Sequence, residues 1–235
     1  MSSSKANGKK QNRLDLPPLP SLRLEKQKLA DAVYNVITDA IVSGKLLQGQ
    51  RLREATVARE LDVSRTPVRE AFARLETEGL LERDPTGAYL VTTWDRSRLL
   101  ELAIVRRTLE CQAARSASRN LKAGDFDYLQ SLVNRMEKAY RREEYPILVD
   151  LDLAFHSLLW EKSGLELLQD LLESIKTQIR FFMFLTLPGD EEEYGAMHQT
   201  LLDILREGNP DTISRAMRDH IIDTAEDSIA NLSFS

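Results

Sequence analysis

VSRTPVREAFARLE, residues 63–76, sets two arginines at the opening of an amphipathic helical pattern. Val68, Ala71, Phe72 and Leu75 recur at helical spacing and mark an inner face, and Gly79 ends the pattern. Arg65 and Arg69 stand one turn apart, away from that face. Upstream, Glu54 to Leu61 fits a short helix, and Asp62, Val63 and Ser64 fit a tight turn. Earlier still, Leu29, Val33, Val36, Ile37, Ala40 and Ile41 repeat at helical spacing until Gly44. Downstream, LLER and AYLV flank the turn DPTG and read as a β-hairpin. Three helices and a hairpin in this order predict a winged helix-turn-helix, in which the second helix of the pair enters the DNA major groove.

At the start of that helix, Thr66 is expected to act as cap and Pro67 to sit in the first turn, with the free backbone N–H groups attracting phosphate. Arginine there reads guanine with paired hydrogen bonds or clamps a phosphate. Spacing alone is met equally by a solvated helix face. VSRTPVREAFARLETEGL, however, resembles the recognition helix of GntR-family bacterial transcription regulators, and the resemblance runs back through IVSGKLLQGQRLREATVARELDVSRTPVRE. It implies DNA contacts at Arg53, Ser64, Arg65, Thr66 and Arg69, with Gly87 as the wing glycine. Gln48 stands where the family usually has proline. Thr86 occupies a wing position that is often basic.

The 235 residues are 42% hydrophobic, enough for two cores. Cys111 is the single cysteine, so no internal disulfide forms, and MSSSKANGKKQNR has no apolar run of the signal-peptide kind. The stretch IRFFMFLTL is too short to span a bilayer. A cytoplasmic protein with no membrane association is expected. The formal charge is −5, unevenly spread: residues 1–24 carry five basic side chains and one acid, 25–95 ten and twelve, and 96–235 seventeen and twenty-four. An acidic total argues against non-specific polyanion binding by the whole chain and leaves room for a local basic face.

The resulting partition is a flexible basic tail over 1–22, a winged helix-turn-helix over 23–94 and a helical region over 95–235. The expected fold class is mostly α, with the second part an antiparallel bundle of six helices broken near Gly124, Pro146, Gly164, Pro188 to Asp190 and Gly208 to Pro210. The three histidines, His156, His198 and His220, each fall on the apolar face of a different predicted helix. Asp152 and His156, spaced i and i+4, share a face and can approach one ion. Either these are hydrogen-bonded core histidines, or a divalent cation satisfies all four groups. The mixed nitrogen and oxygen set suits zinc, nickel or manganese better than calcium. Arg106 interrupts the stripe Leu99, Leu102, Ala103, Leu109, Ala113, and serves either as a bridge to Glu110 one turn on or as an anion ligand.

The helical part resembles the FCD effector domain of the FadR subfamily of GntR regulators over residues 98–230. Metal-binding members of that group carry a D-x3-H motif and two later histidines, so the resemblance implies Asp152, His156, His198 and His220 as metal ligands. VRRTLE resembles the pattern R-x3-E, which implies that Arg106 faces the effector pocket and holds a carboxylate that also coordinates the metal, the arginine being assigned to the effector and not to the ion; Arg180 is a weaker effector candidate. The combined expectation is a non-enzymatic transcription regulator, a homodimer on a palindromic operator, that senses a small organic acid at a metal site. Repression relieved by the acid is the commoner family behaviour. A metal-dependent enzyme on the helical part and an architectural DNA-binding protein are the competitors. No nucleophile or general base supports the first, and inward polar residues oppose the second.

Overall fold

Gly44, at φ 68°, closes the first helix where the sequence places its end. The computed structural model describes residues 26–187 and 191–231. The basic tail expected over 1–22 and the break expected at 188–190 lie outside the described residues. Helix α1 is Lys26–Val42, strand β1 Arg51–Leu52, α2 Glu54–Glu60 and α3 Arg65–Thr77, followed by β2 Leu81–Arg83 and β3 Tyr89–Val91. Val68, Phe72 and Leu75 are fully buried and fasten α3 to α1 and α2. Truncating such a phenylalanine costs about 3–5 kcal/mol. Phe72 also meets Tyr89 edge-to-face, with ring centroids 4.9 Å apart, which ties α3 to the hairpin.

Two local readings are corrected. The N-cap of α3 is Ser64, in extended conformation and without a side-chain cap bond, so Thr66 lies inside the helix. Pro67 then occupies the third helical position, where the N–H it lacks would have no intrahelical acceptor. The hairpin, moreover, has a third strand: β1 pairs antiparallel with β3, Arg51 opposite Leu90, to give the order β1-β3-β2. Two residues are too few for a periodicity signal to show. Gly87, at φ 80°, makes the turn between β2 and β3.

Asp95 caps α4, its Oδ1 accepting from the Arg98 amide at 2.8 Å. Seven helices follow: α4 Arg96–Ala117, α5 Ala123–Arg141, α6 Tyr145–Lys162, α7 Glu166–Ser174, α8 Lys176–Leu185, α9 Glu191–Glu207 and α10 Pro210–Asn231. The expected count was six. The extra boundary is Ile175, at once the C-cap of α7 and the N-cap of α8, and no glycine or proline marks it. Helix α4 packs on α6 and α10, and α5 on α6 and α9. One buried apolar cluster runs from α1 and α3 through Trp94 into Phe181 and Phe182 of α8, so the helix-turn-helix rests directly on the bundle. Trp94 and Phe181 meet edge-to-face at 5.4 Å.

Candidate metal centre and nucleic-acid interface

Four bundle helices send polar side chains into one apolar interior. Helix α4 supplies Arg106 and Glu110, α6 Asp152 and His156, α9 Tyr194 and His198, and α10 His220. Asp152, His156 and His198 are buried, and His220 is partly so. The three imidazoles offer ligand atoms that all lie within 4.8 Å of one another. His156 Nε2 is 3.3 Å from His220 Nε2 and 3.3 Å from Asp152 Oδ1, and His198 Nε2 is 3.3 Å from Asp152 Oδ2. Atoms sharing one cation at bond lengths of about 2.0–2.2 Å lie about 3–3.5 Å apart. The spacing therefore fits a common ion.

Hydrogen bonding fits it too. Asp152 Oδ1 and His198 Nε2 are buried and make no hydrogen bond among the described residues, despite these short approaches. Burying such groups unsatisfied is unfavourable, and a cation at this point would satisfy both. Other positions in the cluster are well held. Tyr194 donates its hydroxyl to Asp152 Oδ2, and His156 Nδ1 meets Glu110 Oε2. Arg106 Nε donates to Glu110 Oε1 at 2.7 Å. His198 Nδ1 lies 3.2 Å from the Tyr194 carbonyl.

The electrostatics follow the same layout. Burial alone would raise the Glu110 carboxyl, but His156 and Arg106 outweigh it and hold it at about 2. Burial likewise opposes charge on Asp152, and His198 and His156 still bring it well below the usual carboxylate range. Burial, then His198 and His156, pushes His220 well below the ordinary histidine value, which leaves a neutral imidazole with a lone pair to offer. Burial and Asp152 push the Tyr194 phenol well above its ordinary value, so it stays a donor.

Beside the cluster is a cavity of about 20 Å³ lined by Arg106, Asp152, His198 and His220, by Phe182 and Met183 of α8, and by Thr186, the C-cap of that helix. Arg106 makes the bridge to Glu110 through its Nε, and the residue also lines the cavity. Arg180 lies outside this cavity, pairing with Asp150 at 2.6 Å and with Asp39 of α1 at 3.0 Å. Two acids from other helices hold it on the opposite face of α8. Sequence reasoning missed Tyr194 altogether and gave Glu110 no part beyond Arg106. The signal for Glu110 was its position in the same inward stripe.

At the other end of the molecule Arg53, Ser64, Arg65, Thr66, Arg69 and Gly87 are all exposed. Arg69 reaches Glu54 of α2 through Nε and Nη2, both at 3.3 Å. In the wing, the Thr86 and Ala88 amides donate to Asp84 Oδ1 at 2.7 and 3.0 Å. Arg51 of β1 lies 3.0 Å from Asp84 Oδ2 and donates to Thr86 Oγ1 at 2.6 Å. A basic side chain from the neighbouring strand thus lies beside position 86.

Residues 101–223 match the FCD domain family and residues 29–91 the gntR family of bacterial regulatory proteins. The HTH-type transcriptional repressor RspR of Escherichia coli is 25% identical over 85% of this chain and 89% of its own. The Nta operon transcriptional regulator of Aminobacter aminovorans is 31% identical over 60% of this chain and 66% of its own. Among solved structures, E. coli McbR superposes with a TM-score of 0.68 at 23% identity, over 82% of this chain and 93% of that one. A GntR transcriptional regulator from Rhodococcus superposes at 0.72 and 22%, over 88% and 100%. These two likenesses speak for the fold alone. The relatives are named as regulators, so the metal-dependent enzyme weighed from the sequence falls away. From its two family matches, the chain is a bacterial transcriptional regulator of the GntR family with a C-terminal FCD domain.

Proposed function

We propose that this regulator binds a palindromic operator as a homodimer and that a small organic acid, held at a divalent metal in the bundle, relieves repression. The observation that carries the reading is that His156, His198 and His220, from three helices, bring ligand atoms within 4.8 Å of one another, with Asp152 3.3 Å from two of them, beside the Arg106 cavity. When bound, zinc, nickel or manganese would supply a Lewis-acidic centre for a carboxylate. Asp152, His156, His198 and His220 would hold the ion. Arg106 has five N–H donors and spends one on Glu110, so the rest of its fork is available to an anion.

At about 20 Å³ the cavity accommodates water and not an organic acid, so an acid enters only with its lining displaced. Helix α8 is the part of the lining that also touches α1. Its cavity side carries Phe182, Met183 and Thr186, and its far side carries Thr177, Arg180 and Phe181 against the helix-turn-helix. An acid that favours the displaced position shifts the two DNA-binding units by its differential affinity for the two arrangements. Exposed Ile104 and Val105 on α4 and Leu167 and Leu171 on α7, two helices in contact, support a second copy as their cover.

DNA contact is assigned to Arg53, Ser64, Arg65, Thr66 and Arg69, with Gly87 and Arg51 at the wing. The test is a thermal-shift series with chelator, then metal, then a panel of organic acids, with operator binding followed by fluorescence anisotropy. Stabilisation by metal, further stabilisation by one acid and weaker operator binding with that acid are expected. Operator binding indifferent to metal and to every acid would refute the reading.

A further inference from the structure

Both oxygens of Glu110 are occupied, one by the Arg106 Nε at 2.7 Å and the other by the His156 Nδ1, in a residue 1% exposed to solvent. A neutral imidazole that donates from Nδ1 to a carboxylate keeps its lone pair on Nε2. The Nε2 of His156 is the atom that faces His220 Nε2 and Asp152 Oδ1. We propose that Glu110 is a positioning residue of the metal centre, fixing the tautomer and ring direction of His156, and that Arg106 anchors Glu110 in place.

This inference rests on the metal reading above and goes beyond it, because neither Glu110 nor Arg106 is among the four assigned ligands. Outer carboxylates of this kind orient a ligating imidazole and increase its basicity. The arrangement also links two sites. Arg106 lines the cavity and grips Glu110, so an anion that recruits its guanidinium alters the hold on His156. By linkage, the metal must then alter anion affinity by the same factor. The apolar stripe of α4 thus carries two charged residues because one serves the cavity and the other serves the ion.

The experiment measures Zn²⁺ and Co²⁺ affinity by chelator competition, and the visible absorption of the Co²⁺ form, for the full-length wild type, Glu110→Gln and Glu110→Asp. Circular dichroism and the metal-free melting temperature report folding. The amide should bind both ions about 10- to 100-fold more weakly with shifted Co²⁺ bands. The shorter carboxylate should recover part of the loss. Wild-type affinity and a superimposable Co²⁺ spectrum in folded Glu110→Gln would overturn the proposal and leave the metal site standing. If the amide variant does not fold, Glu110→Asp decides alone: weaker binding with a shifted spectrum supports the proposal, and wild-type behaviour overturns it. No metal bound by the wild type would overturn the site and the positioning role together.

Discussion

Arg180 and Asp39 meet at 3.0 Å, joining the bundle helix α8 to the first helix of the DNA-binding part. Arg180 is held from the other side by Asp150 of α6 at 2.6 Å, so its guanidinium spans three helices. At about 100° per residue, Arg180 and Thr177 lie on the side of α8 opposite Phe182 and Thr186. Asp39→Asn should leave metal content unchanged and cost at most about 1 kcal/mol of stability, because Asp39 is largely exposed. It should reduce the change in operator affinity that an activating acid brings. Chemical denaturation and anisotropy titrations with and without the acid check this, and an undiminished response would remove the contact from the route between the sites.

The recognition helix has a separate test. Arg65→Ala and Arg69→Ala should each lower operator affinity by about 1–3 kcal/mol if the lost bond is a paired base contact. Both side chains are exposed, so the melting temperature should hold. Arg69 is already steered by Glu54, 3.3 Å away, and its variant should lose sequence discrimination as well as affinity. Unchanged operator affinity in both variants at physiological salt would be incompatible with the assignment.

Arg51 predicts a different signature. Beside the Asp84 to Gly87 turn it can offer charge to a phosphate, and no base edge need be involved. Arg51→Ala should weaken operator and unrelated DNA alike and lower the slope of log affinity against log salt by about one. A fall confined to the operator would instead make Arg51 a base reader.

Much of this architecture is written locally. The stripe through Val68, Phe72 and Leu75, the glycines at 44, 79 and 87 and the DPTG turn each speak through near neighbours, and the helix-turn-helix follows from them. The inward register of the three histidines was legible in the sequence, and the structure brings their ligand atoms within 4.8 Å of one another. What stayed hidden depends on packing between distant segments. Ile175 breaks a helix without a breaker residue, β1 exists only because β3 lies beside it, and Tyr194 gains its role by meeting Asp152 across two helices. The partners of Arg180 were hidden too, because a long side chain beside aromatic residues can turn to either face, and the positions of Asp39 and Asp150 decide which.

Arg106 was expected from the sequence to serve the effector and leave the ion alone. Its bond to Glu110 changes that outcome. Arg106→Ala should abolish the response to organic acids and also weaken metal binding, by less than Glu110→Gln does, since Glu110 keeps its His156 partner. Isothermal titration with Zn²⁺ alone, and again with a stabilising acid, separates the two effects. A variant that loses neither would return Arg106 to a purely structural bridge.

The most direct measurement is the metal content of the regulator purified with metal present, by elemental analysis, alongside melting temperatures before and after chelation. The wild type should carry one ion per chain and lose stability when it is removed, as a folding-coupled site does. His198→Ala and His220→Ala should carry little metal, melt lower and respond weakly to chelator, because each removes one ligand from the cluster. No bound metal in the wild type, with unchanged stability in both histidine variants, would contradict the account and make these residues ordinary members of the core.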